Sequence, residues 1–200
     1  LTTVIQASIT GLACAMVSIL FCHVMSSSHK LIHSAIKNDY LRAFAGGVAI
    51  ILLTLIFRTY DYNGAGMDVI NRAVSGKAVS YAFILKIVFT AITIGAGFKG
   101  GEIVPSLFVG ATLGNVAAPL LGLDPALGAA IGMIALFCGV VNCPLAAVLF
   151  SVELFGHECM LLFCVACAVS YVFSGYYGLY TSQKIMYDKL HPHYINTRSR

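Results

Sequence analysis

Residues 97–105 read Gly-Phe-Lys-Gly-Gly-Glu-Ile-Val-Pro and bring together turn-forming glycines, one cation, one carboxylate and a proline. The glycines permit a tight backbone turn. Pro105 suits the first turn of a helix, where its missing N–H is no loss. The apolar residues beyond it carry a helix onward, which predicts a helix start near Glu102. Such a start offers unsatisfied N–H donors and about half a positive charge. In a low dielectric these donors hold an anion without a charged side chain, and gently enough to release it. Lys99, beside Gly100 and Gly101, adds positive potential at the approach. The same pattern also reads as a glycine-rich helix break with no ligand.

The surroundings of this stretch follow from composition. The 200-residue chain is 59% hydrophobic and only 10% charged, with a mean hydropathy of +0.89. A soluble domain is about 25% charged, so the chain has too little polar surface to cover a water-facing globule. An integral membrane protein is expected. The net charge of +4 is small, and no basic–aromatic patch of the nucleic-acid kind is present. The seven cysteines lie in apolar stretches without zinc spacing. They read as buried thiols, including the Cys164–Cys167 pair, and imply no disulfide framework. The chain opens on Leu1 with no signal peptide, which reads as an internal piece of a longer protein.

Residues 4–27 are apolar enough for one span. A polar connector is expected from Ser26 to Arg42, then a second apolar run over 43–57 with Gly46 and Gly47 for close helix approach. A turn-rich loop covers Arg58 to Gly66, an amphipathic piece covers Met67 to Val74, and a third span covers 78–97. Lys86 interrupts that span and either snorkels or lines a vestibule. Beyond Gly95, repeated Gly and Pro cut the apolar sequence into pieces at 103–121, 126–141, 144–155 and 159–173. Short interrupted pieces at membrane depth predict half-helices facing protein or a water-filled cavity. A stack of simple spans is the alternative. Basic residues in the connector and in the tail, from Lys184 to Arg200, place both on the cytoplasmic side, with the 58–66 loop outside.

At this point the residues reach a resemblance. GFKGGEIVPSLFVGATLGN resembles the GxxGGxxxPxLxxGAxxG signature of the CLC chloride channel and transporter family. Pro144 to Gly156 (PLAAVLFSVELFG) is similar to that family's PLTAIxxxxELTG stretch, and Tyr176 to Gln183 (YYGLYTSQ) to its final intramembrane segment. The resemblance implies an all-α membrane fold: the second half of an inverted-repeat bundle with partly spanning helices, over residues 1–190. Residues 191–200 then form a short cytoplasmic tail without CBS domains. It implies that the backbone N–H groups of Glu102 and Ile103, with the Tyr180 hydroxyl, hold the central anion. Lys99, Gly100, Gly101 and Pro105 form the approach and helix start. It implies chloride transport as a channel or chloride/proton antiporter, no cofactor beyond the bound halide, and a homodimer in the cell membrane. The contact surface between subunits falls in residues 144–175. The family's first-half motifs are not in these residues, so a complete pathway needs that other half.

Glu102 stands where most chloride-type members carry an apolar residue. It reads as protonated by burial, as a cap on helix N–H groups, or as a group that titrates in proton coupling. The fluoride-exporting branch is similar here, with Gly-Gly-Glu before an apolar pair, but usually carries Thr at the position of Val104. Fluoride/proton antiport is therefore the alternative. On residues alone, Tyr180 also reads as an interfacial tyrosine, Glu153 as a buried structural carboxylate, His157–Glu158 as a polar loop, and Asn142-Cys143-Pro144 as a helix start. An intramembrane enzyme using His157 and the cysteines, or a purely structural subunit, are the competing classes. No enzyme activity is expected.

Overall fold

The computed structural model describes residues 1–180, 182–191 and 193–199. Arg200, counted in the basic tail, and Thr181, part of the YYGLYTSQ match, lie outside them, as does Pro192 of the 191–200 tail. The described residues form α1 (Thr2–Ala35), α2 (Asp39–Phe57), α3 (Met67–Val74), α4 (Ala82–Gly95), α5 (Ile103–Leu121), α6 (Pro125–Val141), α7 (Pro144–Phe155) and α8 (Met160–Phe173). A hairpin of β1 (Lys184–Tyr187) and β2 (Tyr194–Arg198) follows.

Helices α1, α2 and α5 are long and apolar enough to cross a bilayer. Helices α4 and α8 have 14 residues, α7 has 12 and α6 has 17. At ~1.5 Å per residue a 14-residue helix covers ~21 Å, short of the ~30 Å hydrocarbon core. The half-helix expectation therefore holds for α6, α7 and α8, whereas α5 over 103–121 is long enough for a full span. Local chemistry fixes the boundaries. Asn38 accepts from Tyr40 N–H (3.0 Å) and Leu41 N–H (3.4 Å) to start α2. Asp124 accepts from Leu127 N–H at 3.0 Å, ahead of Pro125, to start α6. Asn142, in the left-handed region at φ 57°, ends α6, and Pro144 opens α7.

Two expectations are corrected. The polar run Ser26–Ala35 is not a connector: α1 continues through it, and the link to α2 shrinks to residues 36–38. Those residues are polar but contain no Gly, Pro or Asn to end a helix before Asn38. The third span is α4, which begins only at Ala82. One element was not foreseen. The antiparallel β1–β2 hairpin, with Lys184 opposite Arg198 and Tyr187 opposite Tyr194, is appended to an otherwise helical bundle and runs across position 190/191.

The core lies around α5 and α6. Phe21, Phe108, Ile131, Ile134, Leu136 and Phe163 are fully buried there. The two helices approach through Gly110 and Gly114 on one side and Gly128 and Gly132 on the other. A Cβ on Gly110 would sit 2.5 Å from the Gly132 carbonyl oxygen, and one on Gly114 would overlap the Gly128 carbonyl. Small residues at such spacing let backbones touch where lipid supplies no hydrophobic drive. By contrast, α2 turns Ile51, Leu55 and Ile56 outward, as a surface facing hydrocarbon does.

Candidate anion site

The α5 start is built by what precedes it. Helix α4 ends at Gly95, and the chain turns through Ala96 and Gly97, where Gly97 N–H donates to Ile94 O at 3.0 Å and Phe98 N–H to Thr93 O at 3.3 Å. Gly97 adopts φ 94°, a conformation that only glycine reaches easily. The Arg42 guanidinium packs against it, 3.5 Å from where a Cβ would stand. Arg42 is nearly buried; it pairs with Asp39 at 2.9 Å and donates to Ile36 O at 3.4 Å. Sequence reading had counted Arg42 only as a topology charge. Gly100 and Gly101 have nothing within reach of an added Cβ and do not carry the left-handed turn. Helix α5 then begins at Ile103 with Glu102 as its cap residue, as expected. The Glu102 side chain makes no capping bond, so that role for its carboxyl is excluded here. Among the described residues, no backbone acceptor serves the N–H groups of Glu102, Ile103 and Val104. Pro105 is buried in the first turn, and Ser106 Oγ donates to Ile103 O at 2.6 Å.

Two cavities flank this helix start. The larger, about 660 Å3, is lined by Lys86, Lys99, Gly100, Gly101, Val104 and Pro105 among others. Lys86 is fully buried. Its ammonium donates to Tyr62 O at 3.1 Å and Gly64 O at 2.6 Å and lies 4.9 Å from the Phe108 ring centre. It therefore lines a vestibule and ties the 58–66 loop to α4, and it does not snorkel. The smaller cavity, about 290 Å3, is lined by Glu102, by Cys22, Ser26, His29 and Lys30 of α1, and by Gly178 and Leu179. The stretch 97–105 is thus shared between two spaces, with Lys99 lining the larger and Glu102 the smaller.

The Gly178–Leu179 turn is held from below. Leu179 N–H donates to Val140 O at 3.1 Å, and Asn142 Nδ2 donates to Tyr177 O at 2.6 Å. A Cβ on Gly178 would lie 2.6 Å from Ser199 Oγ. The tail closes on this turn through Lys189, whose ammonium donates to Asn142 Oδ1, to Tyr171 O at 2.7 Å and to Ser174 Oγ at 3.3 Å. Burial pushes the Lys189 ammonium down to about 8. Tyr180 follows directly, 45% exposed, and lines neither cavity. Ile103 is 37% exposed. The structure thus brings Glu102 to the turn that carries Tyr180. His29, Lys189 and Arg42 were missed, because they sit far along the chain from the residues they serve. Glu153 is exposed on α7, contrary to the buried carboxylate expected, and His157 and Glu158 are exposed between α7 and α8.

Residues 1–175 match the family described as voltage gated chloride channel. The chain belongs to that family. A chloride/fluoride channel protein of Pseudomonas syringae is 36% identical to this CLC chain over 200 residues, covering 96% of the chain and 44% of the relative. An H(+)/Cl(-) exchange transporter ClcA of Vibrio vulnificus is 27% identical over 139 residues, covering 63% of the chain and 30% of the relative. The crystal structure of a CLC-type fluoride/proton antiporter superposes with a TM-score of 0.86 at 30% identity, covering 90% of this chain and 46% of that one. The CLC chain therefore spans less than half the length of these relatives. The fold is that of an integral membrane helical bundle.

Proposed function

We propose that this CLC chain supplies the second half of an anion/proton antiport pathway, with fluoride as the favoured ion. The observation that carries the proposal is the α5 start. Free N–H groups of Glu102 and Ile103 stand there beside a carboxyl that makes no capping bond and lines a cavity. A carboxylate at that place repels an anion, whereas its protonated form donates an O–H to one. Fluoride gives up a tightly held water shell and needs strong donors in exchange. A carboxyl that gains a proton as the anion arrives links the two movements. The Tyr180 hydroxyl, carried on the turn beside Glu102, is the third donor. Lys99, Gly100, Gly101 and Pro105 shape the approach and helix start. The 30% identical fluoride/proton antiporter supports fluoride, and the name of the 36% identical relative covers both ions.

Chloride is the second reading. Val104 favours it, because the fluoride branch usually carries Thr there, and so do the exchangers at 27% identity. The first half of the membrane domain completes the pathway. A second copy packs on the apolar surface of residues 144–175, where Leu145, Leu149 and Leu161 are exposed. The protein resides in the cell membrane with its tail in the cytoplasm.

The test is efflux from liposomes holding the full-length protein, with proton movement recorded alongside. Fluoride efflux at least tenfold faster than chloride, with protons moving oppositely and that coupling lost in Glu102→Gln, is the expected result. Equal chloride efflux with intact coupling selects the second reading. Anion flux with no proton movement rejects antiport.

A further inference from the structure

We propose that the smaller cavity is the proton entrance to Glu102, and that His29 passes protons across its mouth; this rests on the antiport reading above. A carboxyl inside an apolar bundle exchanges protons only along a route that water or side chains provide. The two cavities at the α5 start are unequal in this respect. The larger one presents the ammonium groups of Lys86 and Lys99 and, among the described residues, neither a carboxylate nor an imidazole to take up a proton. The smaller one is lined by Glu102 and Ser26, both half-buried, and by His29, which is exposed. Its volume of about 290 Å3 has room for several waters at ~30 Å3 each.

His29 is the group suited to the mouth. An imidazole ring accepts a proton at one nitrogen and donates one from the other, so it can pass a proton on. It is exposed to solvent on one side and lines the cavity on the other. The His33 ring, one turn along α1, lies 5.9 Å from it between ring centres and extends the titratable surface outward. The titratable or charged groups facing His29 in the cavity are Cys22 and Lys30 from α1 and Glu102 from the α5 start. Helix α4 contributes Ile94, and the turn contributes Gly178 and Leu179, none of which titrates. The Lys30 ammonium has donors only and no acceptor, so it does not relay. The step is a proton transfer through water. Imidazolium at His29 gives its proton to the Glu102 carboxylate, leaving neutral imidazole and a carboxylic acid, and bulk water reprotonates the ring.

The experiment uses full-length protein in liposomes, with anion-driven proton uptake read by a pH dye and anion binding read by calorimetry. His29→Gln is expected to slow proton uptake about tenfold at pH 7, to leave anion binding within twofold, and to recover when imidazole is added to the bath. Ser26→Leu, which fills the cavity, is expected to slow proton uptake without recovery by imidazole. Wild-type proton uptake in His29→Gln, or its loss together with anion binding and without imidazole rescue, overturns the relay. Glu102→Gln in the same assay separates the two readings. If it is slow while His29→Gln is normal, the relay alone falls. If both are normal, the antiport reading falls with it.

Discussion

The two cavities share one wall and differ in the kind of charge they offer. The larger presents ammonium groups, one of them locked onto the Tyr62 and Gly64 carbonyls. The smaller presents a carboxyl and an imidazole beside the Lys30 ammonium. Between Lys99 and Glu102 the chain turns, so neighbouring residues serve opposite sides of the same helix start. Fixed charge attracts an ion, and exchangeable charge moves a proton.

The packing behind α5, whose start walls both cavities, is the first place to break this contrast. Gly114→Leu forces α5 from α6 and is expected to cost about 3 kcal/mol or more, seen as loss of the monodisperse peak in size exclusion after mild heating. A variant as stable as the parent would show that the glycine contact is not what holds the wall. Lys86→Met acts on the larger cavity only. It leaves the Tyr62 and Gly64 carbonyls without their donor and is expected to cost about 2 kcal/mol, read as a lower melting temperature, with the proton-to-anion ratio unchanged. Lys99→Gln touches only the approach. It is expected to slow anion flux about threefold at low ionic strength and less in high salt, because steering charges are screened.

The smallest effect lies under the Tyr180 turn. Lys189 is held down to about 8 from its ordinary 10.5 by burial. The unfolded chain therefore binds the extra proton between these values, and stability rises with pH across that window. The benefit is present above about 10.5 and is lost as pH falls through about 8. The slope of melting temperature against pH between 8 and 10 is expected to be shallower in Lys189→Gln. An identical slope would remove Lys189 from the clamp.

Much of the second part of the chain was legible because its punctuation is chemical. Pro105, Gly122, Pro125, Asn142 and Pro144 each leave a backbone signature that a helix must obey, and α5 to α8 fall close to where these residues put them. The end of α1 was not legible, since Ser26 to Lys30 are polar without being helix breakers, and polarity reports solvent more directly than it reports backbone. The α5 start and Glu102 were found from local spacing. The split of Lys99 and Glu102 between two cavities was not, because it depends on the direction in which α5 leaves the turn. Nor was the hairpin, whose strands of four and five residues are too short to show a period.

Helix α1 carries one more consequence. Its 34 residues span ~51 Å at ~1.5 Å each, and even at a tilt of ~40° about 39 Å lies along the bilayer normal, against ~30 Å of hydrocarbon. The surplus falls at the polar end bearing Ser26, His29, Lys30 and His33, whose composition suits the headgroup layer. There the surface potential of an anionic leaflet, about −30 mV, raises the local proton concentration roughly threefold over bulk. On the relay proposed above, lipid composition joins bulk acidity in setting how fast protons reach the smaller cavity.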